Sequence, residues 1–175
     1  KAAQQHLARN LQTMGLTPPR ANQWSCEILA AILVGQAVSF RGSMASMVAN
    51  LVGLSLFGNA TLTFDVPVGC IDLIRFQPLR DAVPGADAWG VVVQGANRSC
   101  LDAFGGELVE RVLNRSWGAL GKDLSPFVVF SLREGPSALV PTPKFPELGP
   151  VLHTDAVSLR APTGNAMVPG ALSGP

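Results

Sequence analysis

"WGVVVQGANRSC", Trp89 to Cys100, is the stretch on which the fold turns. Val91, Val92 and Val93 run on without the polar alternation of a half-solvated strand, so this segment reads as a strand buried on both faces. Gly95 then opens a Gly-Ala-Asn-Arg turn. The turn has two readings. It is a loop that brings its backbone to a phosphate, with Gly95, Asn97 and Arg98 as ligand-facing residues. Or it is an ordinary surface turn, with Asn97 open to water or to a glycan.

The same texture returns in "SPFVVFSL", Ser125 to Leu132, a second strand of the buried type. Between the two, Leu108, Val109, Val112, Leu113, Ser116, Trp117 and Leu120 recur at helical spacing. Glu107, Glu110, Arg111, Asn114 and Arg115 fall on the opposite side, with Glu107 and Arg111 as a favourable i,i+4 pair. Residues 89–132 therefore spell strand, helix, strand.

Upstream the chain is helical. Leu7, Leu11 and Met14 make a thin apolar stripe, and "TPPR" follows, with Thr17 placed to cap and Pro18 in a first helical turn. Trp24, Ile28, Leu29, Ile32 and Leu33 form a broad face that predicts a helix over about 20–35. "ILAAILVGQAVSF", Ile28 to Phe40, reads as core helix, and Met44–Leu56 as a third helix. "ATLTFDV" (60–66) and "CIDLIRF" (70–76) flank a Pro-Val-Gly turn and read as a hairpin. From Pro141 the last 35 residues hold seven prolines and four glycines, interrupted by one strand candidate, Val151–Leu159. The expected fold is α+β: a helical N-terminal third, a mixed β-sheet with one covering helix, and an extended Pro/Gly-rich C-terminal arm. The expected division is a globular domain over 1–140 and an arm over 141–175.

Composition narrows function. Charged residues are 14% of the 175, below the roughly 25% usual for soluble domains, while 47% are apolar. A neutral surface of this kind fits burial by a partner, self-assembly or a glycan coat. The net charge of +1, with ten scattered Arg and three Lys, leaves no footprint for nucleic acid. The 13-residue apolar run closes on Arg41, short of the roughly 20 residues a membrane span needs. "KAAQQHLARN" is polar and helical, unlike a secretory leader.

Candidate sites are few. Cys26, Cys70 and Cys100 contain no CxxC, so they read as buried thiols or as one bridge, Cys70–Cys100. His6 and His153 are too few for a metal cage, and no metal or cofactor is expected. His153 with Asp155 could act as base and orienter for one of the twelve serines. Asp65 and Asp72, or Asp81, Asp87, Asp102 and Glu107, are the carboxylates from which an acid–base pair would be drawn; turn and cap roles suit them better. Asn-x-Ser/Thr sequons stand at Asn59, Asn97 and Asn114, where fewer than about one is expected by chance. They point to a secreted, lumenal or virion-like chain, with a cytoplasmic one as the alternative.

Locally, "VVVQGANRS" resembles the cofactor loop of short-chain dehydrogenases, T-G-x-x-x-G-x-G. The resemblance covers Gly90 to Leu113 and implies a Rossmann-like nucleotide site. Gly95 matches, but Gln94 stands at the Thr, and Ser99 and Leu101 stand at the other two glycines. The catalytic tyrosine of that family has no counterpart, because the chain contains no Tyr. "LTPPRANQWSCEILAAILVGQAVSF" is similar to the helical leader of some insertion-sequence transposases, with no acidic triad downstream. The reading that emerges is a non-catalytic structural, assembly or binding protein. It would be a secreted glycoprotein or shell-type subunit that binds a protein partner or forms a homo-oligomer. The alternatives are a nucleotide-binding oxidoreductase with a degenerate glycine loop, and a hydrolase built on His153.

Overall fold

A computed structural model describes residues 1–69, 89–100, 127–135 and 144–156. The chain is α+β. Helix α1 spans Ala2–Thr13 and α2 spans Pro18–Leu33; strand β1 is Val38–Arg41, and α3 is Ala45–Phe57. Then come β2 (Thr61–Asp65), β3 (Gly90–Gln94), β4 (Phe127–Leu132), the short α4 (Lys144–Leu148) and β5 (Val151–His153). The five strands form one sheet in the order β2-β3-β4-β1-β5.

All four described pairings are parallel, where a mixed sheet was expected. The expectation came from the hairpin. Strand β2 instead lies beside β3, with Thr61 opposite Gly90 and Phe64 opposite Val93. The 24 residues between the two strands are enough for the crossover that a parallel pair requires. The proposed partner strand 70–76 and the covering helix 107–120 lie outside the described residues. The two buried-type strands stand as read: every residue of β3 and β4 is buried, and the two pair in parallel.

The run Ile28–Phe40, expected as one core helix, is divided in the structure. This run is the end of one helix and the start of a central strand. Gly35 turns the chain at φ 74, the left-handed conformation that closes helices. Its N–H donates to Ile32 O at 3.0 Å, and that of Gln36 donates to Ala31 O at 2.8 Å, which satisfies two end carbonyls of α2. Val38, Ser39 and Phe40, rich in β-branched and aromatic character, then enter the sheet between β4 and β5. At the other end of α2, Thr17 sits at the N-cap position without a side-chain cap bond, and Pro18 begins the helix.

Alternation along the strands sorts the core. In β4, Phe127, Val129 and Ser131 face one side; Phe127 meets Phe57 of α3 at 5.8 Å between ring centroids. Val38 and Phe40 lie level with Val129 and Ser131, and Phe40 meets Trp24 of α2 at 5.8 Å. Helices α2 and α3 thus share a face of the sheet. On the opposite face Phe130 packs edge-on against Phe145 of α4 at 5.4 Å. Residues 144–156, assigned by composition to the arm, close this edge of the sheet. Ala37 N–H donates to Leu148 O and Ser39 N–H to Pro150 O, both at 2.9 Å.

Candidate functional site

Parallel strands deliver their loops to one edge, and ligands of such sheets bind beyond the carboxyl ends. Here that edge gathers Arg41–Ser46 after β1, Gln94–Ser99 after β3, Arg133–Glu134 after β4 and Thr154–Asp155 after β5. A cleft of about 420 Å³ opens there, lined by Gly42, Ser43, Ser46, Arg133 and Glu134 among others.

Most polar groups at this edge hold backbone. Gly95 adopts φ 61, ψ 43, and its N–H donates to Ser131 Oγ at 2.9 Å. Ser131, fully buried, donates in turn to Gln94 Oε1 at 2.6 Å, and Gln94 Nε2 donates to Ser46 O at 3.0 Å. One serine thus ties β4 to the end of β3, and Gln94 carries the tie on to the first turn of α3. The three-residue 3-10 turn Ala96–Arg98 follows.

The sequon places Asn97 in water or under a sugar. It is only 2% exposed. Its Nδ2 donates to Arg133 O at 2.8 Å, and its Oδ1 accepts the Arg133 N–H at 2.7 Å. The side chain copies the pairing of a strand neighbour and extends the ladder by one step. Nδ2 is also the atom a glycan would use, so a sugar would have to break this lock and enter the core. Of the other two sequons, Asn59 is exposed and Asn114 lies outside the described residues.

His153 and Asp155 are not joined as base and orienter by any hydrogen bond seen among the described residues. Asp155 accepts the Ser43 N–H on both carboxylate oxygens at 3.0 Å, and it also accepts the Ser43 hydroxyl. The hydroxyl bond, then the backbone bond, holds the carboxyl below its ordinary range. Beside it Thr154 Oγ1 accepts the Met44 N–H at 3.3 Å and donates to Arg41 O at 3.1 Å. Together they serve the N-terminus of α3, where unpaired N–H groups and the helix dipole favour an acceptor or an anion. Arg41 Nε pairs with Glu134 at 3.0 Å on the rim of the cleft.

The remaining candidates disperse. Cys26 and Cys100 are free and exposed rather than buried, and Cys70 lies outside the described residues, so the Cys70–Cys100 bridge is not visible. His6 lies at 3.3 Å from Asn10 Nδ2 on α1, far in sequence from His153. Asp65 is exposed at the end of β2, and Asp72, Asp81, Asp87, Asp102 and Glu107 lie outside the described residues. No group of three metal-binding side chains occurs among the described residues. No described helix is long and apolar enough to cross a membrane. Ser131 and Thr154 carry no motif in the sequence, and Gln94 stands out there only as a departure from the dehydrogenase loop. A serine alone in an all-buried strand was the available signal, since a buried hydroxyl requires a partner.

By class, then, this is an α+β fold with a parallel sheet and a cleft at its carboxyl edge. The chain is similar to the Druantia protein DruC of Escherichia coli (strain UMEA 4076-1), 26% identical over 155 residues. The match covers 88% of this chain and 24% of that protein, so the chain spans about a quarter of the relative's length. No family model matches the chain. No solved structure matches it.

Proposed function

We propose that this chain is a non-catalytic binding module that works in an assembly, with a protein partner or a second copy of itself. The observation that carries this reading is the commitment of the chemistry-bearing side chains at the carboxyl edge. Asp155 holds Ser43 just ahead of α3, Asn97 holds the Arg133 backbone, and Ser131 holds Gly95. Each of these side chains spends hydrogen bonds on holding a neighbouring segment of the chain in place. Two further features agree. Leu33 and Val34 at the end of α2 are 81% and 56% exposed, and Met47 and Leu54 on α3 are also exposed. The relative's name, Druantia protein DruC, labels it as one lettered protein of a set.

The nucleotide-binding alternative loses support at Gly95, because the N–H that a pyrophosphate would meet already donates to Ser131. A secreted or lumenal location would rest on the sequons, of which Asn59 is exposed and Asn97 is buried. Native mass spectrometry of the protein isolated from its own host tests the proposal. The expected result is a stoichiometric complex with a second chain or with further copies. A bare monomer at micromolar concentration would contradict it.

A further inference from the structure

The side chains of Arg98 and Arg133 both reach Gly95 at the carboxyl end of β3. The point where a Cβ on Gly95 would stand lies 2.6 Å from Arg98 Cδ and 3.4 Å from Arg133 Nε. Arg98 Nε is buried and has no hydrogen-bond partner, a rare condition for so strong a donor. The ion pair seen among the described residues is Arg41–Glu134, which leaves Arg98 and Arg133 without a carboxylate there. The nearby acids are engaged, Glu134 by Arg41 and Asp155 by Ser43. A guanidinium with no carboxylate partner keeps its donors available to an anion.

Arg133 also lines the cleft, together with Ser43 and Ser46. Its volume of about 420 Å³ falls within the range of small-ligand pockets, roughly 300–1,000 Å³. The planar fork of a guanidinium matches the oxygens of a phosphate group, which it binds in bidentate fashion.

From this geometry we infer that Arg98 and Arg133 form an oxyanion site for a small phosphomonoester. The phosphate lies between the two guanidinium groups and the body of the ligand enters the cleft beside Ser46. This goes beyond the assembly reading and does not depend on it. The site differs from a dinucleotide loop in that side chains, not the Gly95 N–H, meet the anion.

Calorimetric titration of the full chain with inorganic phosphate and with phenyl phosphate, at ionic strength matched with chloride, tests it. Both are expected to bind saturably at one site, phenyl phosphate more tightly. Arg98→Gln and Arg133→Gln are each expected to weaken phosphate at least tenfold, about 1.4 kcal/mol. Arg20→Gln on α2, whose guanidinium meets Gln23, is the control and leaves binding unchanged. Because neither Arg98 nor Arg133 has a described carboxylate partner, both Gln variants are expected to keep the melting temperature of the parent in chloride. The absence of saturable binding in the parent chain overturns the site, and that result stands even where a variant fails to fold. So does unchanged affinity in both variants. Weaker binding of phenyl phosphate than of phosphate overturns the small-molecule class. A failed titration leaves the assembly reading intact, since native mass reports association without phosphate.

Discussion

Asn97 and Asp155 perform the same task at two places on one edge. Each lies just beyond a strand and bonds the backbone of a segment distant in sequence, Arg133 for Asn97 and Ser43 for Asp155. Their surroundings differ. Asn97 is buried and neutral, whereas Asp155 is exposed and charged. A buried neutral lock gains little from charge but leaves unpaired groups behind when it is removed. An exposed charged lock is screened by water and salt, and it answers to pH instead. The carboxyl edge is thus held rigidly at the sheet centre and adjustably at its β5 side.

The largest effect is expected at the rigid lock. Asn97→Ala removes two hydrogen bonds and strands the Arg133 N–H, a loss of about 2–4 kcal/mol in denaturant unfolding. Asn97→Asp would not restore it, because a carboxylate has no N–H for Arg133 O. A neutral effect of Asn97→Ala would break the comparison at its stronger end.

Next comes Ser131→Ala. It deprives the Gly95 N–H of its acceptor and Gln94 of its donor, at a cost of about 1–3 kcal/mol. Equal unfolding midpoints for Ser131→Ala and the parent would show that Gly95 turns without this support.

The smallest effect at neutral pH is expected for Asp155→Asn. Its signature is the pH dependence. The folded-state pKa is depressed, so the contribution of Asp155 is complete above its unfolded value and fades as pH falls through the folded one. Thermal melts from neutral to strongly acid pH should therefore show a steeper acid decline for the parent than for Asp155→Asn. Parallel acid limbs would remove the electrostatic half of the comparison.

How much of this was legible in the sequence depends on how local each cause is. The burial of β3 and β4 shows in unbroken apolar runs, because a parallel sheet covered on both faces leaves no polar alternation. Strand β1 is only four residues long and follows an equally apolar helix; Gly35 was the punctuation mark, and periodicity alone passes over it. The parallel pairing of β2 depends on which strand becomes its neighbour in space, and a nearby hairpin competes on local grounds. At the site, Asn97 stood out as unusual, yet its sequon suggested exposure where the fold demanded burial. The partners of Asn97 and Gly95 lie 36 residues away. Contacts of that range have no imprint in a local pattern.

At the carboxyl edge, the Asn97 and Ser131 side chains are bonded to the backbone of Arg133 and Gly95. Residue-resolved amide hydrogen exchange on the ligand-free chain reads this directly. The Arg133 and Gly95 amides, which donate to Asn97 Oδ1 and Ser131 Oγ, are expected to exchange only through global unfolding. The Ser43 amide, held by exposed Asp155, is expected to exchange faster than either. Exchange of Arg133 and Gly95 at the rate of an unprotected loop would contradict the account and return Asn97 to solvent.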